Sequence, residues 1–126
     1  MKITIVTATW NSGATLRHTM RSVLSQSYPN IEHIIVDGGS TDNTMEIVHE
    51  LEPEYQGCLR YISEKDKGIY DAMNKGIAMS TGNIVGILNS DDFYTSDSVL
   101  STVVSAFEDG NIDACLLYTS PSPRDR

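Results

Sequence analysis

The sequence predicts an α/β fold, an open and mostly parallel sheet with helices on both faces, and three observations carry that prediction. Short runs of β-branched and aliphatic residues alternate with stretches whose apolar residues recur every three to four positions, as strands joined by crossover helices do. Each strand-like run ends in polar residues that turn easily, Gly38-Gly39-Ser40-Thr41-Asp42 after one and Asn89-Ser90-Asp91-Asp92 after another. The chain has 126 residues, of which 40% are hydrophobic and 21% charged, enough for one core and too few for two.

The first strand covers residues 2–9, where Ile3 and Ile5 alternate with Thr4 before Val6-Thr7-Ala8. Asn11 or Ser12 can cap the helix that follows, in which Leu16, Met20, Val23 and Leu24 form one apolar stripe. Tyr28-Pro29-Asn30 closes it. The second strand holds the continuous run Ile34-Ile35-Val36 and ends at Asp37, and a second helix extends to about Leu51. Residues 52–57 read as a surface loop, residues 58–63 as a weaker strand, and Glu64-Lys65-Asp66-Lys67-Gly68 as a charged loop. Ile69, Ala72, Met73, Gly76 and Ile77 share one face of a third helix, with Gly82 placed for a left-handed cap. Ile84-Val85-Gly86-Ile87-Leu88 is another buried strand; Leu100, Val103, Val104 and Phe107 mark a last helix closed by Asp109-Gly110. A further strand is expected from Ile112.

Residues 1–115 thus form the domain, and residues 116–126 read as a non-native or disordered tail. Leu116-Leu117-Tyr118-Thr119-Ser120-Pro121-Ser122-Pro123 turns from a strand beginning into a Ser-Pro stretch that no central strand can continue. The tail resembles translated adapter sequence at the end of a truncated reading frame; a natural disordered terminus is the alternative.

Charge narrows the function. Seventeen acidic against nine basic side chains give a formal net charge of -8, which disfavours nucleic acid and anionic lipid surfaces. No apolar stretch approaches the roughly 20 residues of a membrane span, and the N-terminus lacks a signal-peptide pattern, so a cytoplasmic location is expected. Cys58 and Cys115 have no metal-ligand spacing and read as buried or idle thiols.

In open parallel sheets ligands bind beyond the carboxyl ends of the strands. There the first strand delivers Thr7-Ala8-Thr9-Trp10-Asn11, the second Asp37, and the fourth Asp91-Asp92. Adjacent carboxylates repel unless a cation lies between them, and hard oxygen ligands suit Mg²⁺ or Mn²⁺ bridged to a diphosphate. Each residue also has a plain reading. Asp91-Asp92 and Asp37 can be turn formers, Trp10 a core plug rather than a stacking platform, and Lys67 a solvated charge rather than a phosphate ligand. His18, His33 and His49 show no pairing and read as surface or core-edge residues. No Gly-x-Gly-x-x-Gly, phosphate loop or Gly-x-Ser-x-Gly elbow occurs.

Four segments in order carry a more specific signal: Ile5-Val6-Thr7-Ala8-Thr9-Trp10-Asn11; Ile34-Ile35-Val36-Asp37-Gly38-Gly39-Ser40-Thr41-Asp42; Asp66-Lys67-Gly68-Ile69-Tyr70-Asp71-Ala72-Met73-Asn74-Lys75-Gly76; and Thr81-Gly82-Asn83-Ile84-Val85-Gly86-Ile87-Leu88-Asn89-Ser90-Asp91-Asp92. Over residues 2–114 the chain resembles the family-two glycosyltransferases of GT-A type, most of all those of bacterial colanic-acid and O-antigen synthesis. The resemblance implies the nucleotide-sugar-binding half of a metal-dependent inverting transferase with a nucleotide-diphospho-sugar donor, often a uridine one. Its acceptor would be a glycan or lipid-linked sugar, reached peripherally at the inner membrane face. It places Asp37 on the base with Ala8 and Trp10 lining that pocket, Thr7, Thr9, Asn11, Gly39 and Lys67 around the donor, Asp91 at the ribose or metal, and Asp92 on Mg²⁺ or Mn²⁺. Trp10 stands where Tyr is more frequent, and Asn89 where many members carry Asp.

In that family the general base lies well beyond the donor-binding half, so no catalytic base is assigned, and little or no transfer by the 126-residue chain alone is expected. A sheet ending near Ile112 would expose a strand edge prone to association. Two other classes share features of the sequence. A sugar nucleotidyltransferase would need a Gly-rich basic loop, of which Asn11-Ser12-Gly13-Ala14-Thr15-Leu16-Arg17 is a poor version. A non-catalytic metal- or nucleotide-binding module of receiver type would carry its acids after the first and third strands.

Overall fold

Residues whose side chains are β-branched and apolar on both faces can only be placed between two layers, and the chain folds accordingly. It runs β1 (Ile3–Thr9), α1 (Leu16–Leu24), β2 (Ile31–Asp37), α2 (Thr44–Leu51), a 3-10 turn (Glu52–Tyr55), β3 (Leu59–Ser63), α3 (Ile69–Met79), β4 (Ile84–Leu88), α4 (Val99–Glu108) and β5 (Leu116–Thr119). The computed structural model describes residues 1–108 and the backbone of residues 116–119. Its strands form one parallel sheet in the order β3-β2-β1-β4-β5, which is the α/β class the periodicity predicts. The register pairs Ile3 with Ile31 and Ile84, and Thr9 with Asp37. The carboxyl ends of β1 and β2 therefore finish side by side.

The two faces are covered unequally. Ile3, Ile5, Ile35, Ile84 and Leu88 pack with Leu16, Met20 and Val23 of α1, Ile47, Val48 and Leu51 of α2, and Leu100, Val104 and Phe107 of α4. On the opposite face Val6, Ile34, Val36 and Ile87 pack under α3, through Ala72 and the partly buried Met73 and Ile77. Gly76 makes this close approach possible, since a Cβ there would lie 2.3 Å from Val6 Cγ1. Alanine would gain about 1 kcal/mol of helix propensity against about 1–3 kcal/mol of overpacking. Gly76→Ala is therefore expected to lower stability by about 1 kcal/mol in urea unfolding; a gain would mean that α3 can lift off the sheet at no cost.

Several local expectations are corrected. Helix α1 begins at Leu16 and has no side-chain cap bond at its N-terminus; Asn11 and Ser12 bond instead toward the loop after β2 and the start of α2. Gly82 is not a left-handed cap. Helix α3 ends at Ser80 in extended backbone, and Gly82 N donates to Thr4 Oγ1 at 2.9 Å, so close that a Cβ would meet Thr4 N at 2.7 Å. Residues 52–57 are no plain surface loop, because the 3-10 turn folds Tyr55 into the core. His33 is fully buried rather than at the core edge, while His18 and His49 are exposed. Cys58 is exposed rather than buried; Cys115, the strand start at Ile112 and the closing Asp109-Gly110 lie outside the described residues. The backbone of residues 116–119 pairs with β4 as β5.

His33 sits in a chain of hydrogen bonds that fixes its tautomer. Tyr55 OH donates to Met20 O at 3.2 Å, so it accepts from His33 Nδ1–H at 2.8 Å; Nε2 then accepts from Thr7 Oγ1–H at 2.8 Å. Burial holds this imidazole neutral, its pKa pushed down to about 3.

Candidate functional site

Strand order reverses beside β1: β2 and β3 lie to one side, β4 and β5 to the other. Chains leaving the carboxyl ends of β1 and β4 diverge there, and the crevice between them is where ligands bind in such sheets. A cavity of about 680 Å³ occupies this point. The end of β1 contributes Ala8, Thr9, Trp10 and Asn11; the turn after β2 contributes Gly38; the loop after β3 and the start of α3 contribute Lys65, Asp66, Gly68 and Ile69; the turn after β4 contributes Ser90 and Asp91.

Trp10 is 68% exposed, which excludes the core-plug reading and leaves a flat apolar platform at the rim. A sharp bend turns it outward. Asn11 takes φ 49°, its amide donates to Ser40 Oγ at 2.7 Å, and its Oδ1 accepts from Thr41 N at 2.9 Å.

Asp37 lies beneath the cavity, with no exposed surface. Its carboxylate accepts from Thr9 Oγ1 at 2.7 Å, Ser63 Oγ at 2.8 Å, Ser40 N at 2.9 Å and Gly39 N at 3.1 Å, and also from Ser40 Oγ. Burial alone would raise its pKa; the bonds from Ser40, Thr9 and Ser63 outweigh it and hold the carboxyl below its ordinary value. Five donors, from the ends of β1 and β3 and the turn after β2, make Asp37 a tie for the floor of the site.

The structure brings Ala8, Thr9, Trp10, Asn11 and Asp91 of the sequence-predicted set onto the cavity and leaves the others off it. Thr7 is fully buried against His33. Gly39, at φ 90°, shapes the turn and donates to Asp37. Lys67 is exposed, and its amide donates to Asp71 Oδ2 at 3.0 Å, joining the loop to α3. Asp92 is 1% exposed and accepts from Asn89 Nδ2 at 3.2 Å, so of the acidic pair Asp91 alone lines the cavity.

Lys65 and Asp66 were missed, because a run of charges reads as solvated surface. The signal was the doubled glycine. Gly39 needs its positive φ, but Gly38 is required for another reason: its Cβ would lie 2.9 Å from Asp66 Oδ2. Asp66 Oδ1 also accepts from Gly68 N at 3.0 Å, so the carboxylate is clamped between the two loops at the cavity wall.

Among the described residues no three His, Cys, Asp or Glu side chains converge as a metal cage. The donors present fit a hard cation that takes one protein carboxylate, Asp91, and completes its shell with phosphate oxygens and water, the usual manner of Mg²⁺ on nucleotides.

Comparison with known proteins agrees with this geometry. The family model for Glycosyl transferase family 2 matches residues 4–123. An uncharacterized glycosyltransferase of Mycobacterium tuberculosis is 37% identical over 105 residues, 82% of this chain and 39% of its own length. A PGL/p-HBAD biosynthesis glycosyltransferase of Mycobacterium bovis is 34% identical over 115 residues, 90% of this chain and 44% of its own. The chain thus spans less than half the length of these relatives. Among solved structures, Staphylococcus aureus TarS 1-349 superposes with a TM-score of 0.79 at 22% identity, covering 88% of this chain and 33% of that one, a likeness of fold. The mannosyltransferase PcManGT from Pyrobaculum calidifontis, in complex with GDP-Man and Mn²⁺, gives a TM-score of 0.75 at 27% identity over 82% of this chain and 31% of that one.

Proposed function

The chain belongs to glycosyl transferase family 2, and from that premise we propose that its cavity holds the nucleotide-diphospho-sugar donor of a metal-dependent inverting transferase. The complete enzyme would build bacterial polysaccharide or cell-envelope glycan on a glycan or lipid-linked acceptor at the cytoplasmic side. One observation carries the reading: an exposed aromatic platform and a carboxylate, Trp10 and Asp91, face one cavity at the reversal of strand order. Among the described residues no helix is long and apolar enough to cross a membrane.

In this reading Trp10 stacks on the base, Ala8 and Gly38 leave room for it, and Asp66 meets its polar edge. Asp37 supports the pocket floor from below, and Lys65 offsets the charge of the diphosphate. Asp91 would be the protein ligand of Mg²⁺ or Mn²⁺, with Asp92 buried beside it and bonded to Asn89. The cation, when bound, neutralises the departing diphosphate. The acceptor oxygen approaches the anomeric carbon from the side opposite that diphosphate, so the base that takes its proton acts on that opposite side of the sugar. A uridine donor is supported by the complex of the fold neighbour TarS with UDP-GlcNAc, a guanosine donor by the complex of the mannosyltransferase with GDP-Man. We favour uridine.

Titration calorimetry of UDP and GDP into the chain, with and without Mn²⁺, tests this. UDP is expected to bind in a Mn²⁺-dependent way, Asp91→Asn to remove the Mn²⁺ dependence, and Trp10→Ala to weaken binding about tenfold, one stacking contact. Binding of GDP alone would keep the donor site and change the base. No binding of either to a chain folded by circular dichroism would sink the reading.

A further inference from the structure

Helix α1 carries a second stripe beside its apolar one. Ser12, Thr15, Thr19, Ser22 and Gln26 succeed one another at intervals of three and four residues, which puts them along one line of a helix and its extensions. Every one of them bonds to the chain that leaves β4. Ser12 Oγ meets Ser90 Oγ at 2.9 Å, and Thr15 Oγ1 donates to Ser90 O at 2.8 Å. Thr19 Oγ1 shares its proton between Ser90 O at 2.9 Å and Asp92 O at 2.6 Å. Ser22 Oγ accepts from Tyr94 N at 3.1 Å, and Gln26 donates to Ser96 O at 2.7 Å and accepts from Leu100 N at 3.0 Å.

Residues 89–98 form neither helix nor strand, so their backbone groups need partners from elsewhere. The stripe supplies them, as a neighbouring strand would. Its densest part falls on the two carbonyls that flank Asp91, and Thr19, which holds both, is 1% exposed. We propose that this polar rail of α1 positions Asp91 for the divalent cation, with Thr19 as the chief positioning residue; the proposal rests on the donor-site reading above. Holding the carbonyls of Ser90 and Asp92, the residues on either side of Asp91, with the peptide between Asp91 and Asp92 tied by Asp92 N to Asn89 O at 3.1 Å, limits where the Asp91 carboxylate can stand, and a cation with short, strict metal–oxygen distances is sensitive to such placement.

Thr19→Val keeps the shape and removes the donor, Thr19→Ser keeps the donor, and Thr15→Val removes one bond of the same rail. Two measurements on the 126-residue chain read the effect: amide hydrogen exchange at Asp91 and Asp92 by NMR without ligand, and calorimetric affinity for UDP in Mn²⁺ against EDTA. Thr19→Val is expected to speed exchange at both amides about tenfold and to weaken Mn²⁺-dependent affinity about tenfold, the usual size of an outer-shell loss. Thr19→Ser should restore both, and Thr15→Val should show the same changes at smaller size, which keeps the test open should Thr19→Val not fold. Exchange and affinity within twofold of the parent in both valine variants, or a serine variant as impaired as the valine one, would overturn the proposal. Asp91→Asn separates the two readings. If it leaves the Mn²⁺ response intact, the donor-site reading fails together with the proposal; if it abolishes the response while the valine variants do not, the rail alone fails.

Discussion

Asp37→Ala is expected to cost about 3 kcal/mol of folding stability and to weaken every ligand of the cavity along with it. Five donors converge on that carboxylate from the end of β1, the turn after β2 and the end of β3. Its removal leaves the buried Thr9 hydroxyl, the half-buried Ser40 hydroxyl and amide, and the exposed Ser63 hydroxyl and Gly39 amide to find other acceptors, the last two from water. Each unmet buried donor costs about 1–3 kcal/mol, reduced where a hydroxyl can rotate. Asp37→Asn, which keeps the volume and one acceptor oxygen, should lose about half as much. Because the folded carboxyl ionises below its ordinary value, the unfolded chain takes up a proton first as acid is added. Its stabilisation is therefore complete at neutral pH and is lost as pH falls from about 4 through the folded pKa. Chemical denaturation of the variants at pH 7 checks the first claim. A folded alanine variant with unchanged stability and no nucleotide binding would instead restore Asp37 as a direct ligand of the base.

The second large effect lies in mild acid. His33 is neutral when folded, with a pKa pushed down to about 3 from its ordinary value of 6.5; unfolded, it protonates near that ordinary value. The unfolded state thus binds the extra proton between those limits, and stability falls as pH drops below about 6.5. At about 1.4 kcal/mol per pH unit, some 2–3 kcal/mol is expected to be gone by pH 4.5, before the carboxylates contribute. That is a large part of the 5–15 kcal/mol typical of a domain. His33→Gln, which can still bond to Thr7 and Tyr55 but does not titrate, should flatten the profile over that window. Equal slopes for parent and variant in urea titrations from pH 7 to 4.5 would show that the imidazole protonates in place.

The fold was legible in the sequence wherever one layer determined a residue's character. Ile34-Ile35-Val36 is apolar without a break because β2 is covered on both faces, and the Ala72, Met73, Gly76, Ile77 spacing reads directly as the inner side of α3. Polar residues with buried partners were not legible. Thr7, His33 and Tyr55 lie far apart in sequence and nothing local joins them, so the imidazole read as core-edge and the 3-10 turn as surface. The polar stripe of α1 looks like an ordinary solvent face, because its complement is a stretch of bare backbone that carries no signature. Within the candidate site, the acidic pair was visible, but which member faces the cavity depends on a turn that leaves Asp91 on its lining and Asp92 buried.

The reversal of strand order has a kinetic consequence. Trp10 and Asp91 stand some eighty positions apart in the chain, and they face one another only after β4 has docked against β1 across the helices between them. Closing so distant a pair comes late, since the chain entropy it costs is recovered only when the intervening layers are in place. Any ligand that contacts both walls would therefore have nothing to hold in the early collapsed chain; it would lengthen the lifetime of the finished domain without hastening its formation.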